Sequence, residues 1–194
     1  MMKEALEVLR KGGIILYPTD TIWGIGCDAT NPEAVARIYG IKHRSDSKSL
    51  VMLASDADMV ARYVEKIPDI AIDLLEVNDA PMTIVYPGAR AGKEGESGRY
   101  LLAWNAVAED GTAGIRVPLG GFCKDLCARF GRPIVSTSAN ISGEPSPKSF
   151  ADIPDEIKKA VDYIVDPSLG PVSTGKASQI IKVGLDGEVQ IIRM

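Results

Sequence analysis

The sequence has few of the residues on which several common kinds of functional site depend. Its 194 residues include one histidine, His43, and three cysteines, Cys27, Cys123 and Cys127, with no CxxC pair. A histidine-rich zinc site is therefore excluded, and a Ser-His-Asp triad would need His43 as its base. Because His43 has a cationic neighbour on each side, we predict a solvated loop residue instead of a base. The odd number of cysteines predicts reduced, buried thiols.

The sequence also lacks an excess of positive charge and any long apolar run. Lys and Arg total 22 against 26 Asp and Glu, and this net charge of -4 argues against a protein that coats nucleic acid through its overall charge. No apolar stretch approaches the roughly 20 residues of a membrane-spanning helix. The first residues, Met1-Met2-Lys3-Glu4, lack the regions of a signal peptide. A cytoplasmic protein without a membrane partner is expected.

Apolar segments with alternating periodicities are present throughout the chain. A hydrophobic content of 45% and a charged content of 25% are typical of a globular protein, and no linker divides residues 1–194. Apolar spacing and cap signals predict helices over 2–9, 32–41, 69–77, 119–130 and 155–161, with one more opened by Ser55 and Asp58 as a capping box. Strands are predicted over 14–17, 49–54, 83–86, 100–104, 115–117, 134–136, 163–165, 179–183 and 189–192. This order predicts one α/β domain with a mixed sheet.

Two polar clusters stand far apart in the sequence, and each follows an apolar segment. The first is Lys42-His43-Arg44 with Lys48, and the second is Ser136-Thr137-Ser138-Ala139-Asn140. Both are expected on loops that rigid elements hold in place. Arg and Lys neutralise phosphate oxygens, whereas Ser and Asn fix geometry through hydrogen bonds. Together the clusters predict a ligand that carries phosphates and has a small polar part to be oriented.

Three other segments imitate functional motifs or suggest mobility. Residues 170–177 come within one residue of a phosphate-binding P-loop, but Ala177 stands where Ser or Thr is needed and a strand-like run follows. Residues 24–29 imitate a dinucleotide fingerprint, but no helix opens there, so a tight turn is the better interpretation. Residues 87–98 are rich in glycine and polar groups and predict a long mobile loop, and whether it is a lid stays open.

The sequence resembles the threonylcarbamoyl-AMP synthases, the YrdC/Sua5 family. Three motifs carry the resemblance: Tyr17-Pro18-Thr19-Asp20-Thr21-Ile22-Trp23-Gly24-Ile25-Gly26-Cys27-Asp28, then Lys42-His43-Arg44, then Ser138-Ala139-Asn140-Ile141-Ser142-Gly143-Glu144-Pro145-Ser146. Weaker matches continue to Arg193, so the resemblance covers nearly the whole chain. It implies one YrdC-like domain over residues 1–194, with a single twisted mixed sheet flanked by helices around a concave, positively lined site.

The resemblance also implies an activity. The amine of L-threonine captures bicarbonate or carbon dioxide, and the resulting carbamate attacks ATP to give threonylcarbamoyl-AMP and pyrophosphate. The product serves the threonylcarbamoyladenosine modification of tRNA, with handover to a tRNA threonylcarbamoyl transferase complex. Such chemistry needs positioning and charge neutralisation more than a strong base, which agrees with the single histidine. Mg²⁺ is expected with ATP, and its protein ligands are not identified by the sequence.

The resemblance implies roles for individual residues. Catalytic roles fall to Lys42, Arg44 and Asn140. ATP contacts fall to Arg44, Lys48, Thr112, Ser138, Ser146 and Arg193. Threonine contacts fall to Thr21, Arg116, Ser136 and Ser178, with Ser173 as a competitor of Ser178. Two positions depart from the family pattern, since Leu53 stands where relatives often carry histidine and Trp23 replaces a tyrosine or phenylalanine.

Other interpretations remain beside this one. The basic cluster could be a solvated helix end that the helix dipole favours, and the Ser and Asn residues could serve local turns. A different class of function is a module that binds double-stranded RNA or tRNA on a basic concave face without turnover. A third is a carbamoyl-transfer domain like that of hydrogenase maturation proteins, which are longer chains with acylphosphatase and zinc-finger segments.

Overall fold

The structure of the protein is a computed structural model that describes residues 1–44, 49–170 and 173–194. Over these residues the helices are α1 (Met2–Arg10), α2 (Pro32–Lys42), α3 (Ala57–Tyr63), α4 (Asp69–Val77), α5 (Gly121–Phe130) and α6 (Asp155–Ala160). The strands are β1 (Ile15–Tyr17), β2 (Gly24–Gly26), β3 (Met52–Leu53), β4 (Met82–Tyr86), β5 (Ala113–Arg116), β6 (Ile134–Val135), β7 (Thr137–Ser138), β8 (Tyr163–Ile164), β9 (Gln179–Val183) and β10 (Val189–Arg193). Short 3-10 helices lie at Trp104–Ala106, Phe150–Asp152 and Pro167–Leu169.

The strands form two mixed sheets. One sheet has the order β7-β2-β1-β8, and the other has the order β10-β9-β4-β5-β3-β6. In the first, β1 pairs with β2 antiparallel and with β8 parallel. In the second, β4 pairs with β5 antiparallel and with β9 parallel. The predicted α/β class with mixed strand directions is confirmed, but the strands divide between two sheets instead of forming one.

The chain passes from one sheet to the other at Ser136. Before it, β6 pairs with β3 of the six-stranded sheet, and after it, β7 pairs with β2 of the four-stranded sheet. The Val135 amide also donates to the Cys27 carbonyl at 2.8 Å, so β6 is bonded towards both sheets. We call this junction of β2, β6 and β7 the seam. It brings the two sheets close together beside Ser136.

Gly26 is required at the seam because another backbone lies against it. A Cβ atom at this position would lie 2.3 Å from the Val135 carbonyl oxygen and 2.8 Å from Cε1 of Tyr17. The segment Gly24–Gly26 is a buried strand, so the predicted tight turn is wrong, whereas the absence of a helix there is confirmed. The glycines serve the close approach of two strands, which is the usual reason for glycine inside a strand.

Two groups of buried side chains form the core, and β1 contributes to both. Ile14 and Leu16 pack into the larger group around α2 and α3, whereas Ile15 and Tyr17 pack into a group with α1 and α5. Side chains alternate across a strand, so a continuous apolar run indicates a strand that is buried on both faces. The predicted buried thiols agree with this core, since the three cysteines are buried and free.

Several local predictions are confirmed and others need correction. Helix α2 begins at residue 32 as predicted, and Asn31 caps it, because its side chain accepts hydrogen bonds from the amides of Glu33 and Ala34. The cap of α3 is Asp56 instead of Ser55, since its carboxylate accepts the Met59 amide at 2.8 Å. The predicted strand over 100–104 is wrong: this stretch forms one isolated bridge, between residues 91 and 102, and then a 3-10 turn.

Over the described residues, no helix is both long and apolar enough to cross a membrane.

The contact at Gly26 makes a prediction about stability. Gly26→Ala should lower the free energy of unfolding by about 1–3 kcal/mol, the usual cost of an overpacked core, because the new methyl group meets a backbone oxygen that cannot move freely. Gly40→Ala is the matched control, since nothing lies within 4 Å of a Cβ at that helical position. The control should gain about 0.5–1 kcal/mol. Urea unfolding of both variants measures the difference, and equal midpoints would contradict the role of Gly26.

Candidate functional site

A polar cavity of about 440 Å³ lies between the two sheets, beside the seam. Both sheets contribute to its walls, through β2 and β7 on one side and β4, β5, β9 and β10 on the other. Nine of the residues singled out from the sequence line it, namely Thr21, Arg44, Thr112, Arg116, Ser136, Ser138, Ser146, Ser178 and Arg193. Their positions in the sequence span 173 residues, from 21 to 193. The fold therefore brings the two predicted polar clusters to one place, while their roles stay predictions.

Arg44 lines the cavity, two residues after the end of α2. His43 caps the helix with a positive φ of 52°, which turns the chain, and the Arg44 amide then donates to the Tyr39 carbonyl at 2.9 Å. The guanidinium donates from Nη2 to the Ser49 carbonyl at 2.7 Å. Its Nε is buried and has no hydrogen-bond partner among the described residues. A buried donor without a partner is costly, and the cationic guanidinium that lines the cavity suits an anionic ligand.

Lys42 lies behind the cavity wall and does not line the cavity. Its Nζ donates to the carbonyls of Ser138 at 2.6 Å and Asn140 at 2.9 Å, and it reaches Oγ of Ser138 at 3.4 Å and Oδ1 of Asn140 at 3.2 Å. The residue is 2% exposed. Through these four oxygens Lys42, at the end of α2, forms hydrogen bonds to the second polar cluster, residues 136–140. Lys48, predicted to contact ATP, lies outside the described residues.

The Asn140 side chain does not line the cavity, whereas Ser138 and Ser146 do. The Asn140 amide nitrogen donates to the Glu144 carbonyl at 2.6 Å, and its oxygen accepts from Lys42. These bonds hold the loop that leads from Ser138 to Ser146. Lys42 and Asn140 are therefore placed to position the loop, since their side chains are taken up by protein partners. Of the three predicted catalytic residues, Arg44 is the one that lines the cavity.

Arg116 also lines the cavity, at the end of β5. Its Nη1 donates to Oδ1 of Asp20 at 2.5 Å, and the arginine side chain is 4% exposed. A buried guanidinium needs such a partner, because burial of an unpaired charge is costly. Thr112 lines the cavity nearby, with its hydroxyl donating to Asp110 at 2.7 Å. Sequence reasoning did not select Asp20 as a site residue, although it lies within the first quoted motif.

Hydroxyl groups and an aromatic ring complete the walls. Thr21 and Ser178 are bonded to other hydroxyls, with 2.9 Å between the oxygens of Thr21 and Thr19 and 2.7 Å between those of Ser178 and Thr83. Of the two serines that competed in the sequence, Ser178 lines the cavity, whereas Ser173 donates to the Thr21 carbonyl.

The ring of Trp23 lines the cavity and packs against Phe150, with 5.2 Å between ring centroids.

Other predictions lie away from the cavity. Leu53 is 1% exposed, packs in the core and does not line the cavity, so it cannot replace a polar contact there. None of residues 88–98 lines the cavity; residues 94–99 border a separate cleft instead. Near its start the long loop is bonded to the end of α3, since Arg90 donates its amide to the Tyr63 carbonyl at 2.8 Å, while its mobility stays a prediction. His43 is exposed and lies 2.6 Å from Glu156, which agrees with a solvated residue.

The fold and the cavity together define an α/β protein with an arginine-lined polar cleft between two mixed sheets. The model of the Sua5/YciO/YrdC family, described as "Telomere recombination", matches residues 7–194. The chain belongs to this family, and the resemblance seen in the three motifs is confirmed.

Curated relatives extend the match over nearly the whole length of the chain. A threonylcarbamoyl-AMP synthase of Pseudoalteromonas translucida is 35% identical over 169 residues, which are 86% of this chain and 85% of the relative. One of Halorhodospira halophila is 31% identical over 189 residues, 93% of each chain.

Solved structures share the fold. P. abyssi Sua5, whose crystal structure contains L-threonine, is 25% identical with a TM-score of 0.77 over 94% of this chain, which spans 50% of that longer protein. E. coli YciO is 27% identical with a TM-score of 0.77, over 99% of this chain and 87% of its own.

Burial of Lys42 makes a prediction about the pH dependence of stability. Burial, together with the nearby Arg44 guanidinium, lowers the pKa of Lys42 to about 8 from 10.5, so these effects outweigh the four surrounding oxygens. The folded state then loses this proton before the unfolded state does. The contribution of Lys42 to stability should therefore increase as the pH rises from about 8 towards 10.5, and it should be lost as the pH falls through 8.

Urea unfolding across this pH range should be compared for the wild type, Lys42→Met and Lys66→Met. As the pH rises, the free energy of unfolding of the wild type should increase relative to that of Lys42→Met by at most about 1.4 kcal/mol per pH unit. Lys66 is exposed, so Lys66→Met controls for the loss of one positive charge. If the free energies of unfolding of the wild type and Lys42→Met differ by the same amount at every pH, the pKa of Lys42 is the same in the folded and unfolded states, and the prediction is wrong.

Proposed function

We propose that this protein is an L-threonylcarbamoyladenylate synthase, a nucleotidyltransferase that uses L-threonine, bicarbonate or carbon dioxide, and ATP. The observation that carries the proposal is the cavity itself, in which Arg44 and Arg116 come from distant parts of the chain to one polar space of about 440 Å³. The proposal is supported by relatives named threonylcarbamoyl-AMP synthase, which this chain matches over most of their length. A Sua5 structure that contains L-threonine supports a site for an amino acid in this fold.

The nucleotide is proposed to lie towards Arg44. Its guanidinium suits phosphate oxygens, which accept charge-assisted hydrogen bonds. Ser138 and Ser146 stand on the loop that Lys42 and Asn140 hold, so their hydroxyls are pre-positioned for the same ligand. Thr112 and Arg193 line the cavity and complete the proposed ATP contacts. Lys48 remains part of the proposal as a further cation.

L-Threonine is proposed to lie towards Arg116, whose guanidinium suits a carboxylate. Thr21, Ser136 and Ser178 supply hydroxyl groups on the surrounding walls, where the side chain of threonine could exchange hydrogen bonds. Ser136 stands at the crossing between the sheets, so its position is fixed by backbone bonds, including its amide to the Val51 carbonyl at 2.9 Å. The two substrates would then lie side by side in one cavity.

This arrangement promotes the reaction by positioning and charge. The amine of threonine adds to carbon dioxide, or to bicarbonate with loss of water, to form a carbamate. A carbamate oxygen attacks the α-phosphorus of ATP, and the bond to pyrophosphate breaks. Arg44 would stabilise the charge on the phosphates as the leaving group departs. No strong base is needed at this step, because the attacking oxygen is already anionic.

Magnesium is proposed to enter with ATP. Among the described residues, no group of three or more His, Cys, Asp or Glu side chains could hold a metal ion, and the residues that line the cavity include no carboxylate. Oxygens of the phosphates and of water would therefore supply most ligands, as is common for Mg²⁺. The ion would neutralise part of the phosphate charge.

The proposed product is consumed by tRNA modification. A mixed anhydride of AMP is reactive towards water, so we propose direct handover to a tRNA threonylcarbamoyl transferase complex in the cytoplasm. The alternative from the sequence, RNA binding without turnover, has no specific observation in its favour. The cavity is confined between two sheets, whereas duplex RNA is recognised over an extended surface.

Pyrophosphate release tests the proposed reaction. Release should require ATP, Mg²⁺, bicarbonate and L-threonine together, with threonylcarbamoyl-AMP as the second product by mass spectrometry. Arg44→Ala should lower kcat/KM for ATP by about 10²–10³-fold, as expected when a charged contact to the transition state is lost. Release that is indifferent to threonine would contradict the proposal.

Arg116→Ala should act mainly on the amino acid. The KM for L-threonine should increase by about 10–100-fold, the effect of losing one hydrogen-bonded charge pair, with a smaller change in the KM for ATP. Arg37→Ala is the matched control, because Arg37 pairs with Asp162 through an exposed ion pair and does not line the cavity. Equal effects of Arg116→Ala on both substrates would count against separate subsites.

A further inference from the structure

The three arginines that line the cavity differ in their partners. Arg44 donates to a carbonyl oxygen, and Arg193 donates from Nε and Nη2 to the Ser178 carbonyl at 2.9 and 2.7 Å. Within residues 1–44, 49–170 and 173–194, Arg116 alone among these arginines forms a salt bridge, with Asp20. Among the described residues, Arg44 and Arg193 have neutral carbonyl partners and no carboxylate partner. The carboxylate compensates the charge of Arg116.

Asp20 is held in place by bonds on both sides of it. The hydroxyl oxygen of Thr19 accepts hydrogen bonds from the amides of Thr21 and Ile22, each at 3.1 Å. These two bonds close a tight turn around Asp20. The carbonyl of Asp20 accepts the amide of Thr174 at 3.0 Å, so the segment before β9 packs onto the same turn. The Asp20 side chain is 19% exposed. The turn therefore holds the backbone of Asp20, and the salt bridge to Arg116 orients its side chain.

We propose that Asp20 is a specificity-determining residue, which excludes phosphate groups from Arg116 and so reserves that guanidinium for the carboxylate of the amino acid. This inference rests on the proposed function, because it assumes that a triphosphate and an amino acid share the cavity. Asp20 acts through charge on Arg116 and on the approaching ligand, without a role in bond formation.

The charges of the two ligands make such a device useful. A triphosphate carries several negative charges and would be attracted to every uncompensated arginine in the cavity. Asp20 repels a phosphate that approaches Arg116, and the pair as a whole is neutral. An α-amino acid carries only one negative charge, and its ammonium group lies beside that carboxylate. Repulsion by Asp20 is therefore much weaker for the amino acid than for a phosphate.

Asp20→Asn separates the charge of Asp20 from its hydrogen bond. The amide oxygen of Asn can still accept from Arg116, so the guanidinium keeps a partner, but the negative charge is gone. Asp20→Glu keeps the charge. Asp162→Asn is the matched control, because Asp162 pairs with Arg37 outside the cavity.

Competition binding tests the proposal. The affinity of each variant for L-threonine is measured by calorimetry with increasing inorganic pyrophosphate, and thermal unfolding checks that the variants fold. In the wild type and Asp162→Asn, pyrophosphate should change threonine affinity little. In Asp20→Asn, saturating pyrophosphate should weaken threonine binding by about tenfold or more, since a charged contact at Arg116 is lost to the competitor. Asp20→Glu should restore most of the wild-type behaviour.

Different failures have different meanings. If Asp20→Asn weakens threonine binding equally with and without pyrophosphate, Asp20 has a purely structural role and the proposal is overturned. If pyrophosphate already competes with threonine in the wild type, the proposal is also overturned. A wild-type protein that binds pyrophosphate but no threonine would instead overturn the proposed function.

Discussion

The close contact between Gly26 and the Val135 carbonyl is the constraint on which the cavity depends. Only a residue without a side chain lets β2 approach β6 so closely, since a Cβ would lie 2.3 Å from that oxygen. Once the approach is made, the chain can leave one sheet at Val135 and enter the other at Thr137. Ser136 and Ser138 are then carried into the space between the sheets. A packing requirement in the core thus sets the position of polar groups in the cavity.

The same arrangement explains how the protein keeps cations at low exposure beside the cavity. Lys42 and Arg116 are 2% and 3% exposed, and burial of a charge is costly unless partners compensate it. Lys42 is compensated by oxygens of the loop 138–140, and Arg116 by Asp20. Each of these interactions joins a segment beside the cavity to a helix or a strand: residues 138–140 to α2, and Asp20 to β5. The electrostatic requirement of burial therefore also rigidifies the walls.

How much could be predicted from the sequence depended on whether the determining contacts are local. Helix α4 has the predicted bounds, Asp69–Val77, because apolar periodicity acts within the segment itself. Strand β2 was missed, since a Gly-Ile-Gly segment has little strand propensity and its extended form is set by pairing with β1 and with β7, whose Ser138 lies more than 100 residues away.

The candidate site shows the same division. Arg44 and Ser138 were selected because they stand in motifs and Arg116 because the resemblance implies a role for it, and the fold brings all three to one cavity. Asp20 was quoted in a motif but given no role, since its pairing with Arg116 across 96 residues requires the sheet geometry. Sequence patterns can identify which side chains gather, but they do not show which charges compensate each other.

That compensation determines what one cavity can distinguish. Two substrates that both carry anionic groups cannot be sorted by arginine alone, because a guanidinium binds phosphate and carboxylate with similar geometry. Sorting requires an element that disfavours the wrong ligand, which is the general basis of specificity between similar partners. Asp20, which pairs with Arg116 but does not line the cavity, and the carbonyl groups beside Arg44 and Arg193 provide such a difference. Under the proposed function, this pattern of charge would direct the phosphates of ATP away from Arg116 and leave that arginine to the carboxylate of L-threonine.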